Sequence, residues 1–155
     1  MQLIKNNDED HPTLKFLRTQ WLKAYNLDHY EFRRHKHISC ICLPNGKPLN
    51  TRTGRILIGK NHSSKSHPIM KNFLRNRIFQ DHTISHIEEQ IHSEIDVLTK
   101  AAQSFRMDNF SGYTLWVARF KFDKKQNVPI IMNSKPCIGC QSKMQQFNIT
   151  NCIHT

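Results

Sequence analysis

Residues 113–122, Tyr-Thr-Leu-Trp-Val-Ala-Arg-Phe-Lys-Phe, are rich in β-formers and apolar at neighbouring as well as alternate positions. A strand with one wet face alternates apolar and polar residues, so this run suits the interior of a sheet covered on both faces. The chain has amphipathic segments to cover it. Leu14, Leu17, Trp21 and Tyr25 recur at helical spacing, with Phe16 and Leu22 widening the stripe, and predict a first helix over residues 12–27 whose apolar face is core. Ile91, Ile95, Leu98 and Ala102 share one helical face and predict a second helix beginning near Gln90. Pro136 stands at a first helical position and opens a third, running to about Phe147.

Strand signals fill the intervals. Residues 35–43 read as a strand, Pro44-Asn45-Gly46-Lys47 as a turn, and residues 55–60 as the returning strand of a hairpin. Residues 61–81 read as a polar loop with one short helix around Met70, Phe73, Leu74 and Ile78. Gly112 closes the loop before the 113–122 strand. Residues 123–127 are turn-like, 128–132 are a short apolar piece, and 149–155 a last short strand. The order α-β-β-loop-α-β-α-β predicts an α/β fold, a three-layer α-β-α sandwich around a mixed sheet. Residues 1–12 read as a loose N-terminal tail and residues 13–155 as a single domain, which suits a chain of 155 residues.

Composition excludes several classes. With 37% hydrophobic and 23% charged residues, 5 Gly and 6 Pro, the chain is neither disordered nor collagen-like. Its longest mainly apolar run, residues 38–43, is interrupted by Ser39, far short of the roughly 20 residues a membrane helix needs. The start, Met-Gln-Leu-Ile-Lys-Asn-Asn-Asp-Glu-Asp, places acids and amides where an export signal is basic and then apolar, so a cytoplasmic location is expected.

The 5 cysteines are an odd number in a chain without an export signal, which argues against a disulfide framework. Cys40 and Cys42 alternate with Ser39 and Ile41, putting both thiols on one strand face beside Ile38 as small buried hydrophobes; Cys152 is read the same way. Cys137 and Cys140 differ, because Pro136-Cys137-Ile138-Gly139-Cys140 is a compact two-thiolate clamp at a predicted helix start. A second short motif, His92-Ser93-Glu94, opens the preceding helix. One imidazole and two thiolates are three tetrahedral ligands with a fourth position left for water, the pattern of a catalytic zinc. The positive ends of two helices favour thiolate over thiol, and Glu94, beside the ligand His92 but not itself a ligand, is placed to carry protons for zinc-activated water.

His-x-Glu followed by Pro-Cys-x-x-Cys is a signature of zinc nucleobase deaminases. From about His35 to its C-terminus the sequence resembles the cytidine and deoxycytidylate deaminase superfamily. The resemblance implies a cytidine deaminase-like fold over residues 13–155, with His92, Cys137 and Cys140 binding zinc while Glu94 moves protons in the hydrolytic removal of an exocyclic amine. Residues 55–70 are similar to the family's strand-Gly-x-Asn loop, which implies that Asn61 hydrogen-bonds the sugar. The backbone N–H groups of Ser93 and Cys137, at helix starts, are expected to face polar substrate atoms. Measured against the family, the sequence as read to residue 155 is expected to lack the fifth strand and terminal helix, which would leave an exposed sheet edge and points to a homo-oligomer as an expectation.

Charge bears on the substrate. The chain carries 23 Lys and Arg against 12 Asp and Glu, a formal net charge of +11. Between Glu31 and Asp81 there is no acid, and the cations gathered there include Lys60, Lys65, Arg75 and Arg77, candidates to hold the phosphate of a mononucleotide. The reading is therefore a zinc-dependent deaminase of a cytosine nucleoside or nucleotide. Two alternatives stay open: a deaminase of RNA or single-stranded DNA, including the transfer-RNA type, and a noncatalytic zinc-stabilised module that binds nucleic acid through its basic face.

Overall fold

The computed structural model describes residues 1–27, 37–66 and 90–155. Along them run β1 (Gln2–Lys5), α1 (Pro12–Leu27), β2 (His37–Cys42), β3 (Ile58–Lys60), β4 (His62–Ser66), β5 (Gln90–Ile91), α2 (Ser93–Phe105), β6 (Thr114–Asp123), β7 (Val128–Met132), α3 (Ile138–Gln146) and β8 (Asn151–His154). Six strands make one mixed sheet in the order β1-β8-β6-β2-β3, with β7 also paired to β6, while β4 and β5 form a separate antiparallel pair. Helix α1 covers one face; α2 and α3 cover the other. This is the expected three-layer α/β sandwich.

Strand β6 explains the layering. Leu115 and Val117 point into the core with Ile95, Leu98, Ala101 and Met144 from α2 and α3. Trp116, Ala118 and Phe120 point the other way, against Leu14, Leu17 and Trp21 of α1. Trp21 and Phe120 meet at 5.8 Å between ring centroids, and Tyr25 stacks on Phe122 at 4.8 Å. Cys40 and Cys42 lie in the α1 core beside Ile38 and Cys152 in the other, all buried as expected of small hydrophobes.

β6 is also longer than any strand beside it, so two strands share one of its edges. β8 runs parallel to it over Thr114–Val117, and β7 runs antiparallel over Arg119–Asp123. On the other edge β2 pairs with residues 114–119. The piece at 128–132, expected only to be apolar, is thus a sheet strand. Where β8 gives way to β7, Thr155 fills the fork: its Oγ1 lies 2.7 Å from the Met132 carbonyl oxygen and 2.9 Å from Ser134 Oγ.

The N-terminal tail requires a correction. Residues 2–5 are not loose: β1 pairs in parallel with β8, Leu3 opposite Cys152, and Asn6 N–H donates to the His154 carbonyl at 2.7 Å. Four residues without a turn signal are too short to declare a strand, and long-range pairing decides the matter. β1 therefore occupies the place beside β8, and the sheet's edge on that side is β1 itself.

Other departures are local. The hairpin after β2 makes two turns, closed at Gly46 (φ +80) and Gly54 (φ +77), so only residues 58–60 return along β2 as a ladder. Helix α2 starts at Ser93, three residues later than expected, because Gln90 and Ile91 pair with β4 and His92 is extended (φ −77, ψ 154). The short helix expected around Met70 to Ile78 lies outside the described residues. Among the described residues no helix is long and apolar enough to cross a membrane.

Gly59 is where the sheet meets α2 most closely. A Cβ there would collide with the Ser93 carbonyl oxygen and with Val97 N and Cβ. Gly59→Ala therefore has to push the start of α2 off the sheet. Urea denaturation is expected to show a loss of about 1–3 kcal/mol, with metal affinity falling as well because His92 immediately precedes that turn.

Candidate metal centre

The first turn of α2 is held from three directions. Ser93 N–H, one of the donors that a helix start leaves without an intrahelical partner, donates to Asn61 Oδ1 at 2.8 Å. A backbone N–H can only donate, so the oxygen of the Asn61 amide must face it, which turns Nδ2 toward His37 Nδ1, 3.4 Å away. One turn further, Asp96 Oδ2 accepts from the Lys60 N–H at 2.9 Å and from Lys100 Nζ at 2.6 Å. These bonds lock the end of β3 to α2 and so fix where His92 and Glu94 stand.

Cys137 caps α3, its Sγ accepting from Cys140 N–H at 3.5 Å. The loop before it is pinned through Ser134, whose Oγ donates to the Val117 carbonyl at 2.9 Å and accepts from Thr155 N–H at 2.9 Å. Gln141 Nε2 donates to the Pro136 carbonyl at 2.8 Å. The two helix starts thereby converge: His92 Nδ1 is 3.5 Å from Cys137 Sγ and 3.3 Å from Cys140 Sγ. The three donor atoms lie within 4.8 Å of one another, a group that can hold a metal ion.

Electrostatics divides the two thiols. Cys137 is lowered to about 4, chiefly by a hydrogen bond from the Cys140 side chain and then by the bond and charge of His92, against an opposing effect of burial. Cys140 is held well above its ordinary value by the same bond to Cys137 and by burial. The pair thus keeps one proton, on Cys140, and presents one thiolate. Glu94 is 4% exposed, and burial raises its carboxyl above the ordinary value. Its Oε2 accepts from Ser93 Oγ at 3.0 Å. With that hydroxyl proton committed, the 2.6 Å contact between Ser39 and Ser93 must run with Ser39 as donor.

His92, Glu94, Cys137 and Asn61 line one cavity of about 370 Å3, together with His37, Arg119, Asn133 and Lys135. The expected metal ligands, Glu94 and Asn61 are therefore assembled at one place. Ser93 is placed otherwise than expected. It is fully buried, its N–H belongs to Asn61 and its hydroxyl to Glu94, so it supports the site and offers no free N–H. The side chain of Lys60 does not line this cavity; it lines a larger one of about 780 Å3 between α1, β3 and α2. Gly59 faces α2, and strand alternation sends Lys60 to the opposite face. Arg75 and Arg77 lie outside the described residues, as does the side chain of Lys65.

Ser39, His37, Arg119, Asn133 and Lys135 escaped sequence reasoning. Two of them left a signal. Ser39 is a polar residue in an otherwise buried strand, on the same face as Ile41, and Arg119 is a charge inside the apolar β6 run. The chain matches no protein-family model and no curated protein sequence.

The depressed Cys137 has a consequence for metal-free protein. A group whose folded value lies below its ordinary one of 9.0 contributes stability that is complete above the ordinary value and is lost as pH falls through the folded value, here about 4. The difference in Tm between the metal-free protein and its Cys137→Ser variant is therefore expected to shrink steadily as pH is lowered from 9 to 4. A difference independent of pH would contradict the thiolate.

Proposed function

We propose that the chain is a zinc-dependent hydrolytic deaminase acting on the cytosine of a nucleoside or nucleotide. The observation that carries the reading is a buried carboxyl, Glu94, beside a one-nitrogen, two-sulfur donor set at the wall of a cavity. The donor set fits zinc. Bonds of about 2.3 Å to sulfur and 2.0–2.1 Å to nitrogen at tetrahedral angles put S and N about 3.5 Å apart, against 3.3 and 3.5 Å here. Three protein ligands, with no fourth His, Cys, Asp or Glu in the group among the described residues, leave a coordination position open, as catalytic sites do and structural ones do not.

His92, Cys137 and Cys140 would hold the ion, whose Lewis acidity makes water a competent nucleophile at neutral pH. The remaining work belongs to the chain. Water oxygen bonds to C4 of the base, the bond from C4 to the exocyclic nitrogen breaks, and ammonia leaves, with no change in oxidation state. Glu94 takes one proton from water and delivers it to the ring nitrogen, then takes the second proton from the hydroxyl on C4 as the carbonyl forms and gives it to the departing amine. Burial raises its proton affinity toward the range such a shuttle needs, and the Ser39–Ser93 hydroxyl pair holds its carboxyl in place. Asn61 lines the cavity while its amide oxygen is held by Ser93 N–H, so its placement for a sugar hydroxyl is rigid. The carboxyl also weighs against a purely structural zinc module, since such a site needs no proton carrier and a buried acid is costly to keep without use.

Glu94→Gln is expected to retain stoichiometric zinc while kcat/KM for ammonia release from cytidine or its phosphates falls by roughly 10²–10⁴-fold. Cys140→Ser is expected to lose the metal. Undiminished turnover by Glu94→Gln would sink the assignment of the proton carrier.

A further inference from the structure

We infer that the ligand of the His92–Glu94 cavity is a mononucleotide carrying a phosphate monoester, and that Arg119, assisted by Lys135, recognises that phosphate. The inference rests on the deaminase reading for the base, but its own support lies elsewhere in the cavity.

Arg119 is a charge set between the buried residues Ala118 and Phe120 of β6. It follows Leu115 and Val117 on the face toward α2, and it stands at the fork where β8 ends and β7 begins, its N–H donating to Thr155 Oγ1 at 3.4 Å. Among the described residues its buried Nε has no hydrogen-bond partner and no ion pair engages the guanidinium. A guanidinium cannot shed its proton, so a desolvated donor of this kind is stable only if something anionic or carbonyl-bearing reaches it. The cavity that Arg119 lines is the route by which such a group arrives.

The balance of charge in that cavity selects an anion. Its one carboxyl among the described lining residues is Glu94. Two thiolates would be neutralised by a divalent ion and the Glu94 carboxylate by one of the two cations, so of Arg119 and Lys135 one positive charge remains uncompensated. Lys135 is exposed and Arg119 half-buried, which sets a mobile ammonium at the mouth and a planar fork further in. A guanidinium matches phosphate oxygens in pairs, whereas an ammonium serves as a point charge. The volume, about 370 Å3, is near the lower end of small-ligand sites. It suits one nucleotide better than a track along a polymer.

The test compares cytidine, deoxycytidine, their 5′-monophosphates and a short single-stranded oligonucleotide holding one cytosine, on zinc-loaded protein, by calorimetric binding and by ammonia release. Monophosphates are expected to be favoured over nucleosides in both readouts. Arg119→Gln is expected to cut that preference by roughly 10- to 150-fold, the worth of hydrogen bonds to a charged group. Arg119→Lys should restore part of it. Lys135→Gln, at an exposed position where folding is not at issue, should lower it by a smaller factor and should weaken competition by inorganic phosphate.

The inference is overturned if nucleosides and monophosphates bind equally, if Arg119→Gln depresses both alike, or if only the oligonucleotide binds and reacts. Should no substrate release ammonia while the monophosphate still binds through Arg119, the deaminase reading fails and the phosphate site stands. Should nucleoside and monophosphate bind and release ammonia equally well, the phosphate site fails and the deaminase reading stands.

Discussion

The seam between β3 and α2 decides where the chemistry can lie. Gly59 brings the strand so near the helix that no side chain fits between them, and the next two residues direct their polar groups at that helix: the Lys60 N–H at Asp96 and the Asn61 amide oxygen at Ser93 N–H. Each bond satisfies a group that would otherwise be stranded at partly buried positions. Capping interactions of this kind are worth about 0.5–2 kcal/mol each. Their larger effect is positional, because they set the first turn of α2 against the end of the sheet, where Ser39 reaches Ser93 and Ser93 reaches Glu94. A residue that looked like a substrate contact is thus first a strut, and Asn61 can offer a ligand only what the strut leaves over.

A second seam positions the other half of the donor set. β6 outruns its neighbours, and the gap between β8 and β7 on its edge is closed by Thr155 and Ser134, both almost fully buried. Ser134 is bonded to β6 through the Val117 carbonyl and to Thr155 through both its N–H and its Oγ. Asn133 and Lys135 flank it, and Cys137 follows two residues later. The loop that delivers a thiolate is therefore stitched to the same strand that carries Arg119. Neither seam is local in sequence, which is why the donor group exists only in the folded chain.

The layers and the donor set were legible from residues alone because they rest on short-range patterns. A 3.6-residue stripe marks α1, an apolar run marks β6, and the helix-start signatures of His92 and Cys137 mark the ends that converge. What the residues alone do not show depends on pairing at a distance. β1 is four residues whose strand character comes wholly from β8. Charge and proximity in sequence point to Lys60, yet a strand sends adjacent residues to opposite faces, and Gly59 takes the face toward α2. Ser93 was expected to hold out its N–H because helix starts have spare donors; Asn61, 32 residues earlier, had claimed it.

Strand placement also bears on which cations reach the cavity. A net +11 with an acid-free stretch along residues 32–80 suggests that the basic segment itself receives the substrate. Among the described residues the cations at the cavity come instead from β6 and from the loop after β7, where an Arg and a Lys are ordinary by composition. Position gives them force: a guanidinium beside an apolar sheet interior is poorly hydrated, and its field is screened less than that of a surface lysine. One cation so placed acts on an anion in the cavity more strongly than a cation on the solvent face. Arg119 and the Cys137 loop share the Thr155–Ser134 stitch, so a phosphate held as proposed would also brace the loop that presents the thiolate. The guanidinium and the thiolate-bearing loop are held by one piece of backbone.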